Sequence, residues 1–280
     1  MIGSASALWR YPVKSMQGEE LETVQVTERG FLGDRLYALI DTGTGKVVSA
    51  KNPRKWPETM NWSATFTNSP RAGVDAPPVR IGLPDGTSLV NHEPGFDVKV
   101  SSVFSREVTL RSTPPATPSL EEYWPDIDGL AHREMITDEA MSGGTPGTFF
   151  DFSAIHLVTT STLSALQQAY PKGRFDVRRF RPNIVVETSE QDGFVENNWL
   201  DRKIAVGESV LIEILIPCAR CVMITLPQGD LPQDSGILKT AAQQNSVMVP
   251  PLNQRKPSVG VYAKVLQGGN IRRGDALRFI

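Results

Sequence analysis

The 280-residue sequence contains only two cysteines and three histidines, and its 29 basic and 31 acidic side chains nearly cancel. So few cysteines exclude a secreted scaffold built on disulfides. The net charge of −2 supplies no general attraction to nucleic acid or to an anionic membrane. No apolar run approaches the roughly 18 residues of a membrane helix, and the N-terminus lacks the pattern of a signal peptide. We therefore expect a cytoplasmic protein that binds neither nucleic acid nor membrane.

Hydrophobic residues make up 40% of the chain, which is enough for a folded core. The first hundred residues contain short β-rich segments separated by turns, such as 23–28 and 35–41. Residues 42–45 predict a turn into a second strand at 47–49, and Asp85-Gly86 between apolar runs predicts another hairpin. This pattern favours a barrel or sandwich over alternating strands and helices.

The second half combines one helix signal with several β-branched segments. Residues 155–159 predict a buried strand, followed by a helix that has Leu163, Leu166 and Tyr170 on one face and Thr162 as its N-cap. Further strands are predicted at 183–187, 209–216, 221–226, 259–266 and 276–280.

A proline-rich segment, TPPATP at 113–118, divides the chain because clustered prolines fit neither helix interiors nor central strands. We expect domains at 1–115 and 116–280, within a mixed α/β but β-rich fold. The glycine-rich residues 141–148 are predicted to form a loop.

The two cysteines form a CxxC pair, Cys218 and Cys221, for which four interpretations are open. A thioredoxin-like redox pair should begin a helix, whereas the flanking sequence is β-rich. A zinc site needs four ligands, and the histidines show no ligand spacing. Both cysteines are alternatively small core residues. The fourth interpretation is a single thiolate that binds a metal held by a larger cofactor.

A second group of residues suits an anionic ligand. Lys14 and Ser15 are adjacent, Arg35 begins a β-rich segment, and Arg181 lies close to Asn183. Guanidinium groups bind phosphate in a bidentate manner, and an asparagine can recognise the edge of a pterin-like ring. The alternative is that these are solvated charges in loops.

Several segments of the sequence together resemble the MOSC family in its two-part form. They are YPVKSMQG at 11–18, GDRLYALID at 33–41, DFSAIHLVTTSTLSAL at 151–166, RFRPNIVVE at 179–187 and PCARCVMITLP at 217–227. The resemblance implies an N-terminal MOSC β-barrel domain followed by a C-terminal MOSC β-barrel domain with a few helices. The layout is similar to that of the mitochondrial amidoxime reducing component and its bacterial relatives.

The resemblance further implies a molybdenum cofactor, in which the sulfurs of a molybdopterin bind the metal and a protein cysteine adds another sulfur. The family's ligand, which is both the metal-binding and the catalytic residue, falls on Cys221. Its cofactor contacts fall on Lys14, Ser15, Arg35, Asp151, Phe152, Arg181, Asn183, Ala219, Arg220 and Cys221.

The implied activity is the reduction of small N-hydroxylated substrates by a monomer that receives electrons from a separate ferredoxin-, flavin- or b-type-cytochrome-like protein. Phe152, His156 and residues 123–148 depart from the amidoxime-reducing pattern, so the substrate is expected to differ. Arg220 is expected to steer substrate, support the cofactor or form a surface salt bridge. Two alternatives are open: a carrier of the cofactor or of activated sulfur, with a persulfide on Cys221, and a scaffold without cofactor.

Overall fold

The computed structural model describes residues 1–126, 134–141, 147–189 and 193–280, and β-strands dominate these ranges. Strands β1 to β9 are Gly3–Arg10, Glu19–Leu21, Thr23–Thr27, Gly30–Phe31, Ala38–Asp41, Ser63–Phe66, Val79–Gly82, Ser88–Val90 and Val108–Arg111. Strands β10 to β19 are Ser119–Trp124, Met135–Ala140, Ile155–Thr159, Ile184–Glu187, Lys203–Val206, Val210–Ala219, Ser246–Val249, Gln254–Gln267, Gly269–Arg272 and Ala276–Phe279.

Helices in the same ranges are few and short. The α-helices α1 to α4 are Phe96–Phe104, Thr160–Ala169, Val177–Phe180 and Ser235–Gln244. Single 3₁₀ segments are Thr59–Asn61, Val195–Trp199, Val222–Thr225 and Pro250–Leu252. Within the described ranges, no helix has the length and apolar character needed to cross a membrane.

Seven strands close into a barrel in the order β12, β13, β1, β19, β14, β15 and β17, because β17 pairs back with β12. Strands β12 and β13 run parallel, and the other neighbours are antiparallel. Side chains such as Leu8, Ile155, Ile212 and Val261 are fully buried in the barrel core. The N-terminal strand β1 therefore completes a barrel that is otherwise formed by residues after 154.

Most of the remaining strands form small sheets, of which those made by β5 to β9 enclose a second core, whereas β18, β3 and β4 pack into the barrel core. One sheet orders β6, β7 and β8, another pairs β5 with β9, a third orders β18, β3 and β4, and β10 pairs with β11. In the second core the rings of Trp62 and Phe104 stack with centroids 4.7 Å apart. Helix α1 contributes Phe96 and Val100 to this core, so its apolar side is covered. The β-rich mixed fold predicted from the sequence is confirmed.

Several local predictions are confirmed and three are wrong. Strand β12 has the predicted bounds, and β7 and β8 flank the predicted turn, where Gly86 has a φ of 85°. The predicted strand at 47–49 makes only an isolated bridge, and β5 pairs with β9 instead. Helix α2 is capped by Thr159, whose Oγ1 accepts from the Thr162 backbone N–H at 3.1 Å, so the cap precedes the predicted position.

The predicted strand at 221–226 is wrong, because a 3₁₀ turn occupies most of it. Strand β15 ends at Ala219, after three register shifts in its pairing with β17. The hydroxyl of Thr225 then donates to Val222 O at 2.8 Å, which satisfies a turn carbonyl inside the protein. Most of the predicted loop at 141–148 lies outside the described residues, and the domain boundary near 115 stays a prediction.

Glu196 offers a test of this fold through pH. Its Oε2 accepts from Thr159 Oγ1 at 2.8 Å and Thr162 Oγ1 at 2.7 Å, whereas Oε1 has no partner within the described ranges. Burial raises the pKa of this carboxyl. Because the pKa is raised in the folded state, the contribution of this carboxyl to stability is fully present below about pH 4, the ordinary glutamate value. That contribution is lost as pH rises from there toward the folded pKa.

We therefore expect Glu196→Gln to increase the free energy of unfolding by about 1 kcal/mol at pH 7 and to change it little at pH 4. Denaturant titrations at both pH values measure the difference. Glu187→Gln, at an exposed position on β13, is the control and should have no effect at either pH. An equal effect of Glu196→Gln at both pH values would contradict the interpretation.

Candidate functional site

A cavity of about 530 Å³ is lined by residues from both halves of the chain. Its wall includes every site residue predicted from the sequence: Lys14, Ser15, Arg35, Asp151, Phe152, Arg181, Asn183, Ala219, Arg220 and Cys221. The structure therefore brings this set to one place, while the roles assigned to its members stay predictions.

Three of these residues have a backbone conformation that is unfavourable for a residue with a side chain. Ser15, Arg35 and Arg181 have φ angles of 64°, 46° and 55°. Each left-handed residue costs about 1 kcal/mol or more, so its surroundings must hold it in place. The Arg35 N–H donates to Tyr11 O at 2.7 Å, and the Arg181 N–H donates to Val177 O at 3.2 Å. These bonds fix the backbone at the cavity wall.

The ring of Tyr11 supports two guanidinium groups. Those of Arg35 and Arg181 each lie 4.3 Å from its centroid, where the π-face attracts cations. Burial raises the pKa of the Tyr11 phenol, which stays neutral and donates to Pro182 O at 3.1 Å. Burial, and then the charge of Arg35, lower the pKa of Arg181 to about 10, so it remains charged at neutral pH. Two adjacent positive charges at a cavity wall suit an anion.

The carboxylate of Asp34 joins the barrel to the N-terminal part. It forms an ion pair with Arg35 and accepts from the Tyr11 N–H at 2.7 Å and from Asn183 Nδ2 at 2.9 Å. Asn183 also donates to Trp9 O at 3.2 Å and accepts from the His156 N–H at 3.0 Å. Asn183 is thus a buried connection between three segments as well as a residue of the wall.

A chain of alternating charges follows another side of the cavity. Lys14 Nζ lies 2.6 Å from Asp151 Oδ1, Asp151 Oδ2 lies 3.8 Å from Lys51 Nζ, and Lys51 Nζ lies 3.2 Å from Glu122 Oε2. Burial lowers the pKa of Lys14, against the charge of Asp151. Burial alone would raise the pKa of Asp151, but Lys14 and Lys51 hold it below its ordinary value. Asp151 therefore stays charged at neutral pH between the two lysines.

Arg220 is anchored to backbone and to a histidine. Its Nε donates to Val259 O at 3.1 Å, its Nη1 to Phe180 O at 3.1 Å, and its Nη2 lies 2.6 Å from His156 Nε2. Burial, and then Arg220, lower the pKa of His156 well below its ordinary value, so a neutral ring accepts from the guanidinium. The surface salt bridge considered for Arg220 is absent from the described residues.

The two cysteines differ in exposure. Cys218 is completely buried, whereas Cys221 is partly exposed and lines the cavity. Burial, and then Glu122, raise the pKa of the Cys221 thiol to about 12. No group of three or more histidine, cysteine, aspartate or glutamate side chains among the described residues can hold a metal. A zinc site made by the described side chains alone is therefore not formed.

Sequence reasoning missed several residues of the wall. Lys51 and Glu122 are ion-paired across 71 positions of sequence, and no local pattern indicates that contact. Tyr262 was also missed, and it forms an aromatic pair with the predicted Phe152, with centroids 5.5 Å apart. The basic segment KNPRK at 51–55, directly after a predicted strand, was the one available signal for Lys51.

Comparison with family models decides the identity of this fold. Residues 144–278 match the MOSC domain, and residues 2–85 match the MOSC N-terminal beta barrel domain. The chain belongs to the MOSC family. The MOSC match contains Cys221, Arg181 and Asn183, and the MOSC N-terminal match contains Lys14 and Arg35. The cavity of this MOSC protein is therefore built from both matched regions.

Named relatives match almost the whole MOSC chain at low identity. Mitochondrial amidoxime reducing component 2 from Rattus norvegicus is 23% identical, covering 98% of this chain and 82% of the relative. Mitochondrial amidoxime-reducing component 1 from Homo sapiens has the same identity and coverage. Molybdenum cofactor sulfurase from Oryza sativa subsp. japonica is 24% identical, covering 82% of this chain and 28% of the sulfurase.

Two solved structures match this chain with low TM-scores. The YuaD protein from Bacillus subtilis has a TM-score of 0.42 and 11% identity, covering 99% of this MOSC chain and 94% of its own. YiiM from Geobacillus stearothermophilus has a TM-score of 0.31 and 21% identity, covering 46% and 54%.

The hydrogen bonds of Asn183 lead to a stability prediction for the MOSC cavity. Asn183→Ala removes three side-chain hydrogen bonds and leaves the buried His156 N–H without its acceptor. We expect a loss of about 2 to 4 kcal/mol in the free energy of unfolding, measured by denaturant titration. The control Asn270→Ala, at an exposed position on β18, should change it by less than about 0.5 kcal/mol. Equal losses in the two variants would contradict the role of Asn183.

Proposed function

We propose that this protein is a molybdenum-cofactor-dependent oxidoreductase that reduces N-hydroxylated compounds such as amidoximes, hydroxylamines and N-hydroxylated bases. The observation that carries the proposal is the cavity wall, where one cysteine thiol, Cys221, shares a space of about 530 Å³ with an anion-binding set. The amidoxime-reducing names of full-length relatives support the reaction class.

The residues present fit the cofactor. An anionic pterin needs positive charge and hydrogen-bond donors, and Lys14, Arg35 and Arg181 supply both at one wall. Among the described residues Cys221 belongs to no group of three or more potential metal ligands, so it suits a metal whose other ligands arrive with the cofactor. The thiol of Cys221 must lose its proton to bind metal, so metal binding would offset the burial that raises its pKa.

We assign each predicted residue a contact with the molybdenum cofactor. Lys14, Ser15, Arg35 and Arg181 would bind its anionic end, and Asp151 keeps Lys14 in place. The remaining contacts would come from Asn183, from the aromatic ring of Phe152, and from the chain around Ala219 and Arg220 that leads to the metal ligand Cys221.

The reaction breaks an N–O bond, consumes two electrons and two protons, and yields an N–H group and water. When bound, the cofactor would supply two-electron chemistry at molybdenum. Phe152 and Tyr262 would limit water at the reacting group through their apolar faces. The ammonium of Lys51 would orient the substrate oxygen as a hydrogen-bond donor, since Asp151 and Glu122 outweigh burial and raise its pKa well above the ordinary value.

Electrons would come from a separate ferredoxin-, flavin- or b-type-cytochrome-like protein. Reduced viologen replaces that donor in the decisive experiment, which uses protein from a host that makes the cofactor. Metal analysis and fluorescence of the oxidised pterin measure loading, and benzamidoxime and hydroxylaminopurine test turnover. Loaded protein that reduces neither compound would refute the reductase and favour a carrier of the cofactor or of activated sulfur.

The two cysteines provide the matched variants. Cys221→Ala should lose molybdenum and at least 100-fold of the activity, on the order of a lost essential group, because it removes the only thiol in the described wall. Cys218→Ser should keep both the molybdenum and the activity. Cys218 is buried beside Tyr262, whose hydroxyl can donate a hydrogen bond to the serine or accept one from it. Equal loss of metal in both variants would instead indicate that the cysteines act as a pair.

A further inference from the structure

The hairpin of β10 and β11 turns one face toward the cavity. Its antiparallel register pairs Leu120 with Glu139, Glu122 with Thr137, and Trp124 with Met135, and all six residues line the wall. Alternate residues of a strand share a face, so these side chains form a continuous surface. This surface, the hairpin face, contains none of the residues assigned to the cofactor.

Hydrogen bonds order the polar groups of the hairpin face. The Trp124 indole N–H donates to Thr137 Oγ1 at 2.9 Å, and the Thr137 hydroxyl donates to Glu139 Oε1 at 2.7 Å. This sequence of donors holds the Glu139 carboxylate in position. It leaves Oε2 of Glu139 available as an acceptor within the described part of the chain.

Three acidic side chains line the cavity, and one of them differs in its partners. Asp151 is paired with Lys14 and Lys51, and Glu122 is paired with Lys51. Across the described ranges, Glu139 has no cationic partner and accepts only from a neutral hydroxyl. A half-buried carboxylate of this kind is complementary to a cationic ligand with N–H donors.

The ligand best matched to this carboxylate is planar. A planar guanidinium or amidinium can bind a carboxylate through two N–H donors. The Trp124 ring beside it is already in contact with a cation, since Lys256 Nζ lies 5.1 Å from its centroid.

We propose that Glu139 determines specificity by binding a planar guanidinium or amidinium group of the substrate through two N–H donors. The proposal rests on the proposed reductase, and it narrows the substrate class to N-hydroxylated compounds that are cationic when bound. Neutral N-hydroxylated compounds of the same shape would bind more weakly.

Binding of unreactive ligands tests this without turnover. Calorimetry on cofactor-loaded protein compares phenylguanidine with phenylurea, which have similar shapes and differ in charge. We expect wild type to bind phenylguanidine at least about tenfold more tightly, as for a charge-assisted hydrogen bond, and Glu139→Gln to lose that preference. The control is Asp138→Asn, which removes one charge from the opposite, exposed face of the same strand and should retain the preference.

Turnover separates failure of this inference from failure of the reductase. Wild type should reduce phenyl-N-hydroxyguanidine with a KM about tenfold below that for the matching N-hydroxyurea, and Glu139→Gln should equalise the two KM values. Reduction of both compounds with equal KM values would overturn the role of Glu139 and leave the reductase intact. If wild type binds phenylguanidine more tightly than phenylurea but reduces neither N-hydroxylated compound, the role of Glu139 is supported and the reductase is refuted. Loss of the preference in Asp138→Asn as well would overturn the assignment to Glu139.

Discussion

The buried carboxylate of Asp34 is the interaction on which the cavity depends. It neutralises Arg35 and accepts from the Tyr11 backbone and the Asn183 amide, which belong to separate segments. Without such an anion, two guanidinium groups on one tyrosine ring would repel each other in a poorly solvated wall. The barrel and the N-terminal part are therefore coupled through charge as well as through apolar packing.

The cations of the wall fall into two kinds with different consequences. Arg220 donates its hydrogen bonds to backbone carbonyls and to His156, so it holds the backbone beside Cys221 in place. Lys14 and Lys51 instead pair with the carboxylates of Asp151 and Glu122, so in this chain two lysines are balanced by two acidic side chains.

Sequence patterns predicted the barrel strands β12, β13, β15, β17 and β19, because β-branched runs such as β12 are typical of buried strands, but they missed β1 and β14. The cavity residues were predicted by resemblance and by residue type, and the structure brings them together. Lys51, Glu122 and Glu139 were missed because their importance arises from contacts made across the hairpin and between halves of the chain. Cys218 and Cys221 look equivalent in sequence, and only the end of β15 makes one buried and the other accessible.

The position of β1 has a consequence for biosynthesis. This strand pairs with β13 on one side and with β19, the last strand, on the other. During translation the barrel can therefore close only after β19 has been synthesised, although β1 is made first. Such distant pairing slows folding and leaves strand edges exposed on the nascent chain. A group that needs the closed barrel can therefore bind only after β19 has been synthesised and paired with β1.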